Sequence, residues 1–505
     1  VKALAVLFGL CLLACRGSAE QAFLETDDAE SRRVAAVAEA FAAARCDTVE
    51  SLASGFASRR PLRVAAVSTW LGRCRYRAGR FEAAAQLFAA VAADRSAIDP
   101  HTRKSAYFLG RAHQRLQRYA DAERSFEDFL RRFPWDTAAD DAAYHRARAR
   151  FKGGDPEGAR ALFETLLTAP ETSELRRAGA LYQLGRIDAE RAPEPEAVRR
   201  AFERFAAVRE RYPDTGYVDD AAYRAGRLHY DLEAYPEAES TLGAFLAEFR
   251  DSGLRPGAAY YEARSVEEQR RWDEASTLYE PITRGETIYA DNAAYRVARV
   301  AYRRAEAASP ESTTLLFSEA DAAFARFLTA WPDSSFRLGA TYFQSRARSE
   351  SGKKAEALAG FETVAASETS AYADNATYSV GKVHYDLAGT RGPEALESSI
   401  RAFDALAERF PTSVYADDGA YFRSRALFRL GRNAEAEGAF DALVLAFPTT
   451  PYADNALYYG VLLRGARGDC EGARARLGAL RSRFPESDYL ADAEQAVRAC
   501  QPVVP

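Results

Sequence analysis

The chain has 505 residues and a formal net charge of -5, from 68 basic and 73 acidic side chains. No basic block stands out, which argues against nucleic acid as a partner. Composition is uniform from about residue 30 onward and no Gly/Ser- or Pro-rich linker interrupts it, so one repetitive body is expected rather than several unlike domains.

The N-terminus differs from the rest. Lys2 precedes an apolar run from Ala3 to Ala14. That run is too short to span a bilayer but has the length of a signal-peptide core. It ends in Leu12-Leu13-Ala14-Cys15, which resembles a lipobox. The resemblance implies that Cys15 is diacylated on sulfur and becomes the mature N-terminus. Two or three acyl chains would then hold the protein almost permanently at a membrane. Arg16 stands where aspartate marks inner-membrane retention in the sorting scheme this resembles, so the outer membrane is expected, with the remainder in the periplasm. Ordinary secretion, cleaved after Gly17-Ser18-Ala19, and a cytoplasmic chain with an apolar leading helix are the competing readings. The expected segments are a signal at 1–14, a short tether at 15–30, an N-terminal capping helix at 31–57, a repeat array at 58–488, and a trailing capping helix with a frayed tail at 489–505.

A phrase recurs along the array. It reads FPTSVYADDGAYF from Phe410, FPTTPYADNALYY from Phe447 and YPDTGYVDDAAYR from Tyr212, with looser copies from Phe133, Trp331 and Phe484. Phe410, Phe447 and Phe484 are 37 residues apart, a period that marks stacked supersecondary units. Between copies, apolar residues recur at helical spacing. The proline ends one helix, Ser/Thr offers a turn, and the Asp/Asn pair is expected to supply an N-cap and a negative first turn to the next. Gly79, Gly154, Gly352, Gly431 and Gly468 sit where a first helix hands over to a second.

Many units place a small residue in the first helix, an alanine early in the second and an aromatic four residues later, several with a proline at the end: Gly110, Ala122, Phe126 and Pro134, or Ser424, Ala436, Phe440 and Pro448. This pattern resembles the tetratricopeptide repeat. The resemblance covers roughly residues 60–490 and implies an all-α, right-handed superhelical solenoid of about eleven helical hairpins with terminal capping helices. The small position falls at residues 72, 110, 147, 185, 226, 263, 298, 345, 381, 424 and 461. Three units carry insertions, around Glu190–Ala197, Arg303–Ser318 and Asp386–Ala395, expected in the turn between the paired helices. The phrasing is similar to repeats of bacterial envelope proteins, among them BamD-like outer-membrane assembly lipoproteins and the repeat protein of the Tol–Pal system.

Four cysteines remain besides Cys11 and Cys15. Cys46 and Cys74 lie near one end of the array, Cys470 and Cys500 near the other. Three pairings are open, as are four free thiols. The local pairs, Cys46–Cys74 and Cys470–Cys500, are favoured. Each would close a loop of about 30 residues, worth roughly 3 kcal/mol, where a terminal repeat lacks a packing partner.

No catalytic or metal-binding constellation is legible, and no cofactor is expected. The five histidines lack metal-site spacing, and His229 and His384 share one repeat position. Most carboxylates are read as first-turn residues. The informative feature is a ladder. In most units a tyrosine of the first helix is followed four residues later by a cation, on the same helix face. The pairs are Tyr107/Arg111, Tyr144/Arg148, Tyr182/Arg186, Tyr223/Arg227, Tyr260/Arg264, Tyr295/Arg299, Tyr342/Arg346, Tyr378/Lys382 and Tyr421/Arg425, with Tyr458/Leu462 breaking the rule. The family resemblance places that face on a concave groove, suited to an extended peptide or acidic segment. The alternative is structural, with the cation paired to an aspartate of the next unit and the tyrosine packed over it; near-invariance along the chain favours this for most rungs. The expected function is a non-enzymatic, outer-membrane-anchored periplasmic scaffold. It would bind envelope proteins or extended peptide segments during cell-envelope assembly or organisation, with the N-terminal lipid as its membrane contact. The alternative is a peptidoglycan-associated superhelix, related to the non-catalytic domain of soluble lytic transglycosylases.

Overall fold

A computed structural model describes residues 29–501, and all 25 regular elements among them are α-helices. The signal, Cys15, most of the tether and the tail after Gln501 lie outside the described residues. The chain divides into two compact units, residues 1–254 and 255–505, where one continuous array was expected.

The first unit contains α1 (Ala29–Ala42), α2 (Cys46–Ala53), α3 (Pro61–Arg77), α4 (Phe81–Ala92), α5 (Pro100–Arg115), α6 (Tyr119–Arg132), α7 (Ala139–Lys152), α8 (Pro156–Thr168), α9 (Glu174–Ala189), α10 (Pro195–Arg211), α11 (Val218–Asp231) and α12 (Tyr235–Glu248). The second contains α13 (Arg255–Glu268), α14 (Trp272–Thr283), α15 (Ala290–Glu306), α16 (Pro310–Ala330), α17 (Arg337–Glu350), α18 (Lys354–Ala365), α19 (Ala373–Arg391), α20 (Pro393–Arg409), α21 (Ala416–Arg429), α22 (Asn433–Ala446), α23 (Ala453–Ala466), α24 (Cys470–Arg483) and α25 (Leu490–Ala499). From α3 to α24 the helices pair in sequence as eleven hairpins, each with a first helix A and a second helix B.

The hairpins close on the expected small-to-aromatic contact. Gly110 faces the Phe126 ring and Gly381 the Phe403 ring so closely that a Cβ would stand 2.7 Å and 2.6 Å from ring carbons. The alanines four residues before the rings, such as Ala122, Ala357 and Ala436, are fully buried. Each ring therefore fills the space that a bare backbone opens. All five hand-over glycines adopt positive φ, between 74° and 92°. In three other hairpins Gln117, Glu233 and Arg270 hold that conformation, at φ 59° to 61°. These positions carry no glycine signal, and packing on both sides enforces the turn.

Three expectations need correction. The segment read as one capping helix is the hairpin α1–α2, broken at Ala43–Arg45. Val34, Val37 and Ala40 of α1 and Val49 and Ala53 of α2 join Val67, Leu71 and Cys74 of α3 in one core. A straight helix could not bring both sets onto α3. The three insertions largely lengthen helices instead of looping out: α15 and α16 span 17 and 21 residues, α19 and α20 span 19 and 17, and α10 spans 17. Helix-forming composition and a proline at the first position of α10, α16 and α20 explain this.

The third correction concerns the Asp/Asn pair. The N-cap is the tyrosine of the phrase, as at Tyr372 and Tyr415, and it makes no side-chain cap bond. The first aspartate instead lies inside the first turn and works in two directions. Asp374 Oδ1 accepts from the backbone N–H of Asn375 at 2.8 Å, while its Oδ2 accepts from the Ser413 hydroxyl of the next phrase at 2.8 Å. Ser413 Oγ in turn accepts from the N–H of Tyr415 at 3.2 Å. The clasp recurs as Ser173–Asp140 and Ser252–Asp219 in the first unit, and as Ser334–Asp291, Thr450–Asp417 and Ser487–Asp454 in the second. Asp374→Ala should cost about 1–3 kcal/mol of local stability, because a charged acceptor and two donors lose their partners. Amide hydrogen exchange should rise at the starts of α19 and α21 and leave the first unit unchanged.

The terminal cysteines pair locally. Cys46 and Cys74 join α2 to α3, and Cys470 and Cys500 join the start of α24 to the residue after α25, with Cα separations of 5.3 and 5.7 Å. Helix α25 covers the last hairpin, with Ala493 fully buried in a core with Leu457, Val461 and Leu480. Cys500→Ser should release α25 from protection, at a cost up to about 3 kcal/mol, with exchange rising at residues 490–499. Unchanged protection would show that packing alone holds the cap.

Candidate functional site

The ladder tyrosines are core residues first. Tyr144 is 1% exposed, Tyr342 3%, Tyr421 5%, and Tyr107, Tyr182, Tyr223, Tyr260 and Tyr295 are also buried. In the second unit each ring from Tyr260 to Tyr458 stacks on the aromatic that precedes the next helix A: Tyr260 on Tyr289, Tyr295 on Phe336, Tyr342 on Tyr372, Tyr378 on Tyr415, Tyr421 on Tyr452 and Tyr458 on Tyr489, at 4.2–5.1 Å between centroids. In the first unit Tyr182 meets Tyr217 at 5.7 Å. Two of the hydroxyls reach the second Asp/Asn of the next phrase, while Tyr144 meets Gln183 and Tyr217. Tyr107 donates to Asp141, and Tyr421 to Asn455 at 3.3 Å. Burial pushes the Tyr295 phenol up to about 12, and raises Tyr182, Tyr342 and Tyr421 as well.

The cations are what the ladder presents. Arg111 pairs with Asp141 of the next phrase at 3.9 Å. Arg227, Arg264 and Lys382 pair within their own helices with Asp231, Glu268 and Asp386. Arg148 lies over Tyr144 at 5.9 Å, Arg186 over Phe151 at 5.4 Å and Arg425 over Tyr421 and Tyr459. Arg299 lies flat on Phe343, 3.4 Å from its centroid, and burial lowers its pKa. These contacts make most rungs part of the hairpin stack.

Two neighbouring rungs open a cavity in the second unit. Tyr342, Arg346 and Glu350 of α17, Lys354 and Phe361 of α18, Tyr378, Lys382 and Asp386 of α19, and Tyr415 line a space of about 380 Å³. Arg346, Lys354 and Lys382 keep 36%, 39% and 33% of their side chains exposed, so their charges face solvent. Asp386 accepts from Lys354 at 2.6 Å and Lys382 at 2.5 Å. Burial works against its charge, but these two hydrogen bonds hold its carboxyl below the usual range. The sequence reading found Tyr342, Arg346, Tyr378 and Lys382 but missed Lys354, Glu350 and Asp386. An acid four residues after the ladder cation, as at Asp231, Glu268, Glu350 and Asp386, was the legible signal.

Two fully buried carboxylates also escape the first-turn reading. Asp188, fully buried late in α9, takes Arg160 at 2.9 Å, Arg200 at 3.4 Å and Arg204. Glu267 is fully buried late in α13. It accepts from the Tyr279 hydroxyl at 2.8 Å, with Arg296 at 3.3 Å and Arg303 at 3.5 Å. Both are satisfied within the hairpin stack. His229 stacks on Phe202 at 4.4 Å. Among the described residues no group of three or more His, Cys, Asp and Glu is placed to hold a metal ion, and no helix is long and apolar enough to cross a membrane.

Residues 75–248 match the family described as outer membrane lipoprotein, YfiO, and residues 395–454 match a tetratricopeptide repeat family. Residues 75–248 are thus similar to BamD-like lipoproteins, and residues 395–454 to a tetratricopeptide repeat. The first match ends at the last residue of α12, and the second covers α20, α21 and α22. Both families are generally non-catalytic scaffolds. No curated protein matches significantly. A tetratricopeptide repeat protein from Parabacteroides merdae is 15% identical, over 56% of this chain and 100% of its own, with a TM-score of 0.35. The C-terminal part of a repeat-containing protein from Cytophaga hutchinsonii is 14% identical, over 54% of this chain and 98% of its own, with a TM-score of 0.39.

One repeat carries a pH dependence. Burial lowers the His145 imidazole to about 2, with Arg111, Arg148 and Arg176 adding repulsion. His145 stacks on Phe126, and its Nε2 is 3.7 Å from Asp141, which also pairs with Arg176. The folded repeat holds the ring neutral, whereas an unfolded histidine titrates near 6.5. The unfolded state therefore binds more protons below that pH, and this stability is lost as pH falls below about 6.5. Exchange at residues 139–152, corrected for intrinsic rate, should rise from pH 7 to pH 4.5, and His145→Gln should flatten the rise.

Proposed function

We propose that the chain is an outer-membrane-anchored periplasmic scaffold. In this reading the cavity at Arg346, Lys354 and Lys382 grips an acidic side chain of an extended envelope-protein segment. The cavity itself carries the proposal: three part-exposed cations converge with buried Tyr342 and half-buried Tyr378 and Tyr415 beside Glu350 and Asp386, and Glu306 reaches Arg346 at 3.8 Å. Carboxylates and backbone carbonyls match that donor set. The volume suits one or two side chains, which makes it an anchoring point rather than an enclosing pocket. The lipobox at Cys15 and the lipoprotein family matched over residues 75–248 support the anchor and the location.

A photoreactive residue at Ser349, on the cavity rim, should crosslink a discrete envelope protein in intact cells. Arg346→Glu combined with Lys382→Glu should reduce that product at least tenfold while helicity is retained. Crosslinks unaffected by the charge reversal would remove the cavity from the reading. Co-sedimentation with purified sacculi, in the absence of any protein adduct, would favour the glycan-binding alternative.

A further inference from the structure

In the first unit, each helix A begins and each helix B ends at the same edge, where the turns between hairpins also lie. Four successive positions along this edge expose a large apolar side chain: Leu62 at the start of α3, Ile98, Trp135, and Leu175 at the start of α9. They are 50%, 66%, 60% and 44% exposed. Single exposed apolar residues are ordinary, but one at each of four successive steps is not. In the second unit Val414 and Leu445 make only a pair, and turns holding Ser335 and Ala371 separate them from Ile288.

Neighbouring turns are tied together. Leu62 shares a cleft with Asp94, Ala97 and Asp99. Arg132 donates to the carbonyls of Ala92 at 2.9 Å and Asp94 at 2.7 Å. Arg103 lies 4.8 Å over the Trp135 ring, and Asp140 accepts from Ser173, two residues before Leu175. The row is thus held as one surface.

The chain also enters at this edge. Glu30, near the start of α1, pairs with Arg63 at 3.2 Å and accepts from the Ser58 hydroxyl, and Arg63 donates to Ser31 at 2.5 Å. The first turn of α1 therefore lies beside Leu62, and residues 16–28 lead from it back to Cys15, a reach of at most about 45 Å.

We propose that this edge is a membrane-facing surface. In this arrangement Leu62, Ile98, Trp135 and Leu175 dip into the headgroup region of the bilayer that holds the lipid on Cys15. The proposal rests on the lipid-anchor reading. The chain's point of entry selects a bilayer over a protein partner, because an anchored chain meets the membrane from this side. Tryptophan and aliphatic side chains gain from shallow insertion at that depth. Charges along the edge alternate, with Arg95 and Arg131 both paired to Asp128, so contact depends on apolar insertion and not on anionic lipid.

The test couples the mature chain through Cys15 to a maleimide lipid in phosphatidylcholine vesicles containing brominated acyl chains. Trp70, Trp272 and Trp331 are half-buried, so Trp135→Phe supplies the background. Wild-type fluorescence should be quenched at least twofold more than that of Trp135→Phe, and Leu62→Ser with Ile98→Ser and Leu175→Ser should reduce the difference. Equal quenching in wild type and Trp135→Phe would overturn the membrane edge. The anchor is tested separately, by mass spectrometry of the N-terminal peptide extracted from cell membranes. An unacylated peptide would overturn the anchor while the vesicle result still judged the edge.

Discussion

The stack depends on a carboxylate with two partners. One oxygen of the first-turn aspartate satisfies a helix N–H, and the other holds the hydroxyl of the next turn. A first-turn carboxylate already suits the positive end of the helix. Using its second oxygen on the following repeat turns a local cap into a joint between hairpins. The tyrosine stack sits directly beneath this joint, since the residue after the clasping Ser/Thr leads straight into the aromatic that lies on the previous ladder tyrosine. Polar clasp and aromatic stack therefore position each other.

This construction limits what the ladder can bind. A ring that is 3% exposed and stacked on a neighbour offers a ligand its hydroxyl at most. The cations have more freedom, but most are occupied by an acid four residues on or by an aromatic face. The repeat departs from this uniformity at one place in the second unit. At Arg346 and Lys382 the helix-A cations are joined by Lys354 from a helix B, and three charges share a solvent-facing cavity. A uniform ladder builds a scaffold, and the proposed function places its grip on a partner at this cluster.

Buried charge follows a similar division. Asp188 and Glu267 occupy positions late in helix A, and Glu267 stands three residues after its ladder cation, where other units place Tyr230, Tyr302, Tyr385 or Phe428. Each gathers arginines from helices that face it. Removing one arginine would strand charge in the core, so these clusters specify which helices pair as well as how tightly they do so.

The sequence by itself determined the all-α class, the eleven hairpins and the small-to-aromatic interlock, while for the cysteines it favoured the local pairs and left the others open. Each of these is written in spacing within one or two units, and helix periodicity and steric fit act at that range. It also contained every partner of the inter-repeat clasp, yet the aspartate read as a simple cap. The tertiary structure alone showed that its second oxygen belongs to a serine some 40 residues away. Only the fold divided the chain at residue 254, lengthened helices across the insertions, and put positive φ on Gln117, Glu233 and Arg270. It also buried the tyrosines while leaving three cations around one cavity. These outcomes depend on which surfaces meet once hairpins stack, and contacts between separate helices leave no periodic trace in the chain.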